Sequence, residues 1–258
     1  MSGIPPHSAQ LARHTHELSY RMSFSGIFLA SGKRAICQRC LRPPSACICN
    51  CIVPVNNEVE VLILQHPLEA KNAKGSVRLL DLCLQHSRVL TGEVFTAKTL
   101  LQALYAPADG LADVAADAAM DVSNDTRSVA QIRPVLLYPD TSLIEAADLA
   151  LPVAEKYQAS QQIQGLRLVI IDATWRKSRK MLYLNPLLQA LPRLSLEQMP
   201  ASHYRIRKAH KPDQLSSLEA CAYALMRLEN DEHKYQCLLQ AFDAFVDQQL
   251  GSIPVNLR

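Results

Sequence analysis

The chain has 258 residues, long enough to bury about three quarters of the surface that an unfolded chain of this size exposes, which suits one large domain with a small appendage. A composition of 48% hydrophobic, 20% charged and 5% aromatic residues excludes a disordered or fibrous chain and fits a soluble α/β or α-rich protein. The net charge of +3 does not by itself indicate a nucleic-acid partner, so the placement of the 27 Lys and Arg must decide that question.

Residues 1–32 mix Ser, His, Pro and Gly without sustained periodicity and read as a poorly ordered leader. No stretch approaches the roughly 20 apolar residues that cross a bilayer. "SFSGIFLA" at 23–30 lacks the charged leader and cleavage site of an export signal, so a cytoplasmic protein with no membrane contact is expected. Five of the eight cysteines then fall in "CQRCLRPPSACICNC" at 37–51. In a reducing compartment this clustering favours metal over disulfides. Cys37 and Cys40 are spaced C-x2-C, and Cys47 and Cys49 C-x-C, enough for a closed tetrahedral zinc site in a segment spanning 33–56. Four protein ligands leave no open position, so the metal would be structural. Cys51 is left over, and Cys83, Cys221 and Cys237 read as core thiols. Lys33, Arg34, Arg39 and Arg42 flank the cluster, either as contacts to a phosphate backbone or as solvated charges.

"VEVLILQHP" gives a first buried strand at 59–65, stopped by Pro67, and "SVRLLDLCLQH" a helix leading to the β-rich "SRVLTGEVF". Residues 97–131 become rich in Ala and Asp and read as a flexible insertion. "PVLLYP" at 134–139 is a short strand, 142–158 largely helical, and "LRLVIID" at 166–172 the clearest strand in the chain. A basic helix at 175–190, a short strand "RLSLEQM", the basic "YRIRKAHK" and two helices at 216–229 and 232–250 follow. Strands alternating with helices predict an α/β fold with a mostly parallel sheet flanked by helices, carried by residues 57–258.

Asp172 ends an apolar strand, where open α/β sheets present their ligand crevices. Asp172 or Thr174 can equally cap the following helix, and the local pattern by itself favours the cap. Trp175 can stack on a base or pack into the core. His66 and Glu69 are secondary candidates for proton transfer. Ser216 and Glu219 form a capping-box pattern, which leaves Ser217 free to reach a ligand. In the helix after Asp172, Arg176, Arg179 and Lys180 share one face at i, i+3 and i+4. Strand alternation sends Arg205 and Arg207 to one face of "YRIRK", extended by Lys208, His210 and Lys211. Two basic clusters flanking one centre suit a folded RNA.

The segments "CQRCLRPPSACIC", "ILQHPLEAKNAKGSVRLL", "LLYP", "IIDATW", "YRIRK" and "SSLEA", in that order over residues 35–228, resemble the DTW-domain family, in particular its bacterial tRNA-uridine aminocarboxypropyltransferases. Two departures are Gly75-Ser76, where family members often carry Asn-Thr, and Ser216-Ser217, where they often carry Ser-Thr. The resemblance implies transfer of a 3-amino-3-carboxypropyl group from S-adenosylmethionine to N3 of a tRNA uridine, with methylthioadenosine released. It also implies a fold similar to the SPOUT methyltransferases, among which knotted chains occur, with the donor among loops at the sheet's C-terminal edge. Carried onto this chain, it makes Asp172 the base for the N3 proton. It places the donor against Leu64, Gln65, His66, Leu137, Tyr138, Pro139, Asp172, Thr174, Trp175 and Ser217. The RNA would meet Arg39, Arg42, Arg176, Arg179, Lys180, Arg205, Arg207 and Lys208. The competing readings are a SPOUT-like RNA methyltransferase using the same donor, and a non-catalytic zinc-knuckle RNA-binding protein in which Asp172 only caps a helix.

Overall fold

Among the described residues the sheet has five strands, all parallel, in the order β2-β1-β4-β3-β5: β1 is Glu60–Gln65, β2 Ser87–Thr91, β3 Arg133–Leu137, β4 Leu166–Asp172 and β5 Arg193–Leu194. The structure, a computed structural model, describes residues 35–107, 131–139, 155–157, 162–197, 199–204 and 215–251. The leader at 1–32, Lys33, Arg34, most of the expected insertion, most of the expected helix at 142–158, and the basic residues Arg205, Arg207, Lys208, His210 and Lys211 lie outside the described residues.

Parallel strands buried on both faces need apolar side chains in both directions, and β1 and β4 supply them. Val61, Ile63, Leu168 and Ile170 enter one core with α2 (Val77–Cys83), α6 (Ser217–Glu229) and α7 (Glu232–Gly251). Leu62, Leu64 and Val169 enter a second core with α3 (Ala97–Tyr105), α4 (Trp175–Leu184) and α5 (Pro186–Gln189). A four-residue turn of helix, α1 (Pro67–Ala70), follows β1 directly. The connection from β1 runs through α2 on the first face to β2, whereas that from β4 runs through α4 and α5 on the opposite face to β5. Adjacent strands whose connections diverge to opposite faces open a crevice at their carboxyl ends. That crevice lies between Gln65 and Asp172, the last residues of β1 and β4.

Three expectations are corrected. Residues 97–105 are not flexible insertion but helix: Leu100, Ala103 and Leu104 bury one stripe at i, i+3 and i+4, and the Thr96 side chain accepts the Thr99 amide. The helix end is held from the sheet. Arg167, 1% exposed on β4, donates to the carbonyls of Ala103, Leu104 and Ala106 at 2.9, 2.8 and 2.8 Å and pairs with Glu60. A cation on these free carbonyls also opposes the helix dipole. Arg167→Ala strips the buried Leu104 carbonyl and the half-buried Ala106 carbonyl of this donor, leaves Ala103 to Arg88 alone, and is expected to cost about 3 kcal/mol, read as a lowered denaturant midpoint at unchanged slope. Second, residues 155–157 are extended rather than helical. Tyr157 donates to the Arg193 carbonyl and Arg193 to that of Glu155, which sets this short stretch beside β5. Third, the strand expected from "RLSLEQM" is only two residues long, because its partner β3 ends at Leu137, ahead of Tyr138 and Pro139.

The cysteine segment is not a detached appendage. Cys40, Ile48 and Cys51 are buried in the first core. Gln248 of α7 donates to the Cys47 carbonyl at 2.7 Å and accepts from the Cys51 thiol at 3.4 Å, which accounts for the fifth cysteine.

Candidate active site and metal centre

The register of β1 on β4 sets Gln65 opposite Asp172. Opposed residues point to the same side, so Gln65 Nε2 donates to Asp172 Oδ2 at 3.0 Å. The second carboxylate oxygen is met from α6. Ser216 caps that helix by accepting the Glu219 amide, while the Glu219 carboxylate accepts the Ser216 amide. With the cap filled by Ser216, the next hydroxyl is free, and Ser217 Oγ donates to Asp172 Oδ1 at 2.5 Å. Asp172 is 8% exposed and its carboxylate is held from two sides. It is therefore not the cap of α4, and Thr174, which occupies that position, makes no side-chain cap bond either.

Trp175 opens α4 and is 48% exposed, its ring edge-on to Tyr138 at 6.0 Å. Tyr138 is buried. Its hydroxyl lies 3.3 Å from Ser178 Oγ, the Arg193 guanidinium sits 5.5 Å from its ring centre, and burial pushes its phenol pKa up. The exposed indole beside a buried tyrosine leaves one aromatic face open at the crevice. Of the other residues expected to hold the donor, Gln65 and Ser217 are engaged with Asp172, and Pro139 is half-buried. Leu64 is fully buried in the second core and Leu137 packs against the first, so both line the sheet rather than its edge.

His66 joins the crevice through its backbone, donating to the Asp172 carbonyl at 3.0 Å. Its Nδ1 accepts the Leu68 amide at 3.1 Å, so the ring proton is assigned to Nε2, which faces Glu93 Oε1 at 3.5 Å. Glu93 also takes Lys180 at 3.0 Å, and that partner foremost holds its carboxyl below the usual range. The buried Glu69 accepts from Lys177 at 3.0 Å and Asn72 at 3.3 Å, tying the turn after β1 to α4. Lys177, Glu93 and Arg193 were not singled out from the sequence. Lys177 faces Glu69 from outside the i, i+3, i+4 stripe of Arg176, Arg179 and Lys180, so no local pattern marks it.

Of the residues expected to meet RNA, Arg176 and Lys180 are exposed and Arg179 half-buried, opposite the buried stripe of Ser178, Met181 and Leu182. Arg39 is exposed. Arg42 instead turns inward: it donates to the carbonyls of Ala73 at 2.8 Å and Gly75 at 3.0 Å and lies 5.2 Å from the Phe245 ring centre.

The thiol sulfurs of Cys37, Cys40, Cys47 and Cys49 all lie within 4.8 Å of one another, Cys37 to Cys49 at 3.6 Å and Cys40 to Cys47 at 3.7 Å. Tetrahedral zinc with bonds of about 2.3 Å has sulfur-to-sulfur edges of about 3.8 Å. The four thiols therefore fit that ion. The turn that joins the first pair puts Leu41 at φ 57°, with the Leu41 amide on the Cys37 carbonyl and the Cys37 amide on the Arg42 carbonyl. The amides of Cys40 and Arg39, with the Cys49 thiol, lower Cys37 to about 6. Burial, reinforced by the Cys37 thiol, raises Cys49 to about 12. A dication relieves the mutual repulsion that keeps four neighbouring thiols from ionising together.

A parallel sheet flanked by helices, with a buried carboxylate hydrogen-bonded from two sides at its switch point and a separate cluster of four thiols that could hold a metal ion, defines an α/β protein. The chain belongs to the DTW-domain family, whose model, described as the DTW domain, matches residues 34–250. It is 27% identical over 222 residues to proteins named tRNA-uridine aminocarboxypropyltransferase 2 from Macaca fascicularis and Mus musculus, covering 84% of this chain and 64% of each relative. A Drosophila melanogaster protein of the same name is 24% identical, with 85% of this chain and 77% of that protein covered. The chain thus spans less than two thirds of the length of the two mammalian relatives. No solved structure matches it. Among the described residues no helix is long and apolar enough to cross a membrane.

Proposed function

We propose that the protein transfers the 3-amino-3-carboxypropyl group of S-adenosylmethionine to N3 of a tRNA uridine in the cytoplasm, on a SPOUT-like parallel sheet. The observation that carries this reading is the Asp172 carboxylate, fixed at the switch point by Gln65 and Ser217 in a chain whose relatives bear the name of that reaction.

The crevice fits the donor on its own chemistry. Trp175 offers an open aromatic face for adenine. The amino end of α4, with Thr174 making no side-chain cap bond, offers backbone amides and a dipole to a carboxylate. When bound, the donor supplies a sulfonium leaving group. Uridine N3 carries a proton and is a poor nucleophile until that proton leaves, so the chain must supply a base rather than an acid. Asp172 accepts the N3 proton, the N3 to γ-carbon bond forms, and the bond from γ-carbon to sulfur breaks with its electron pair going to sulfur. Gln65 and Ser217 keep the carboxylate aimed, a positioning effect that adds to the base's own contribution. Unstacking the uracil to reach Asp172 costs a few kcal/mol. Backbone contacts from Arg39, Arg176 and Arg179, with Arg205, Arg207 and Lys208, offset it, while Lys180 divides its charge with Glu93. Cys37, Cys40, Cys47 and Cys49 would hold structural zinc and take no part in the transfer.

The test is the coproduct and the nucleoside. Incubation with donor and folded tRNA is expected to give methylthioadenosine and a uridine heavier by one aminocarboxypropyl group in nucleoside mass spectrometry. S-adenosylhomocysteine with methylated nucleoside would establish the methyltransferase reading instead.

A further inference from the structure

Three successive carbonyls in the segment after α1 are taken by side chains from elsewhere in the chain. Arg42 donates to those of Ala73 and Gly75, and the Tyr204 hydroxyl to that of Lys74. Within the segment, Asn72 Oδ1 accepts the Lys74 amide and the Asn72 carbonyl accepts the Gly75 amide. The same segment begins at the crevice, where His66 bonds the Asp172 backbone and Glu69 pairs with Lys177. Its outer face carries Lys71 and Lys74, both exposed.

The clamp is anchored in the cysteine turn. The Arg42 carbonyl accepts the Cys37 amide at 2.8 Å, which fixes the Arg42 backbone to the first metal-ligand position, two residues after Cys40. A second link runs in reverse: Arg78, on the helix that follows the segment, donates to the Arg39 carbonyl at 2.6 Å. A fork of parallel donors that spans two carbonyls is a use of arginine that lysine cannot reproduce.

We propose that Arg42 is a positioning residue that links the four-cysteine centre to the 71–76 segment and holds Lys71 and Lys74 beside the crevice as contacts for tRNA phosphates. This rests on the tRNA-modification reading above, with the metal centre acting on RNA affinity through Arg42 in addition to the Arg39 contact.

The experiment uses the full chain with zinc bound. Arg42→Ala is expected to raise the tRNA Kd and KM about tenfold, to leave kcat within about twofold, and to speed amide exchange at 71–76 while zinc content stays unchanged. Arg42→Lys should fall between the wild type and Arg42→Ala in both exchange and affinity. Lys71→Ala with Lys74→Ala is expected to reduce the slope of log affinity on log salt by about 1.5, and adding Arg42→Ala should then weaken binding by less than about twofold more. A drop in kcat with unchanged Kd for Arg42→Ala, or fully additive effects with the lysine pair, overturns the proposal. If Arg42→Ala does not fold, wild-type exchange in Arg42→Lys or an unaltered salt slope in the lysine pair overturns it. Exchange and tRNA binding need no turnover, so a wild-type protein that forms no methylthioadenosine would refute the reaction and leave this clamp to be judged by itself.

Discussion

Asp172→Asn is expected to slow uridine modification by about 10² to 10⁴-fold, the range ascribed to a lost general base, with tRNA affinity kept within about twofold because phosphate contacts supply it. The asparagine has nearly the shape of the carboxylate and can still accept from Ser217, while Gln65 needs only an amide flip to face its new donor. Loss of rate then reports lost basicity rather than a collapsed site. A merely orienting carboxylate would leave most of the rate, and single-turnover transfer measured with donor and tRNA both saturating separates the two outcomes.

Cys40→Ser is the second large effect. Cys40 is 1% exposed and contributes one corner of the sulfur tetrahedron. Zinc is expected at about one ion per chain in the wild type, and to be lost in the variant. Isolated zinc modules gain about 10 to 16 kcal/mol from the ion. Here Ile48 and Cys51 already pack into the first core and Gln248 holds the Cys47 carbonyl, so part of the segment's order survives without metal. A loss of about 3 kcal/mol is the expected remainder, a fall in Tm of about 6 to 12 °C for a domain of this size. Protein purified under reducing conditions with no zinc, or with the same Tm before and after chelation, would remove the metal from the centre.

Much of the scaffold is written locally. β4 spans Leu166–Asp172 as its apolar run indicates, and α6 begins at Ser217 because Ser216 and Glu219 spell out their own cap. The spacing of Cys37, Cys40, Cys47 and Cys49 is likewise a short-range property, and the sulfurs gather as it suggests. The helix at 97–105 combines a local cap and apolar stripe with a long-range contact: Arg167, some sixty residues away, takes the carbonyls at its end.

Sequence by itself determined which residues can carry chemistry: a carboxylate ending a buried strand, four thiols in one turn, and a basic stripe on the helix that follows. It left Asp172 undecided between capping and reaction, because both uses share one local pattern. The tertiary structure removed the cap from that choice, by placing Thr174 at the cap position and bringing Gln65 and Ser217, 107 and 45 positions distant, onto the two oxygens of Asp172. It likewise turned Arg42 inward, although the surrounding residues read as a charged surface. The physical reason is the same in both cases. Strand register and helix packing fix which distant donors meet, and the burial of Asp172 makes its two bonds costly to lose.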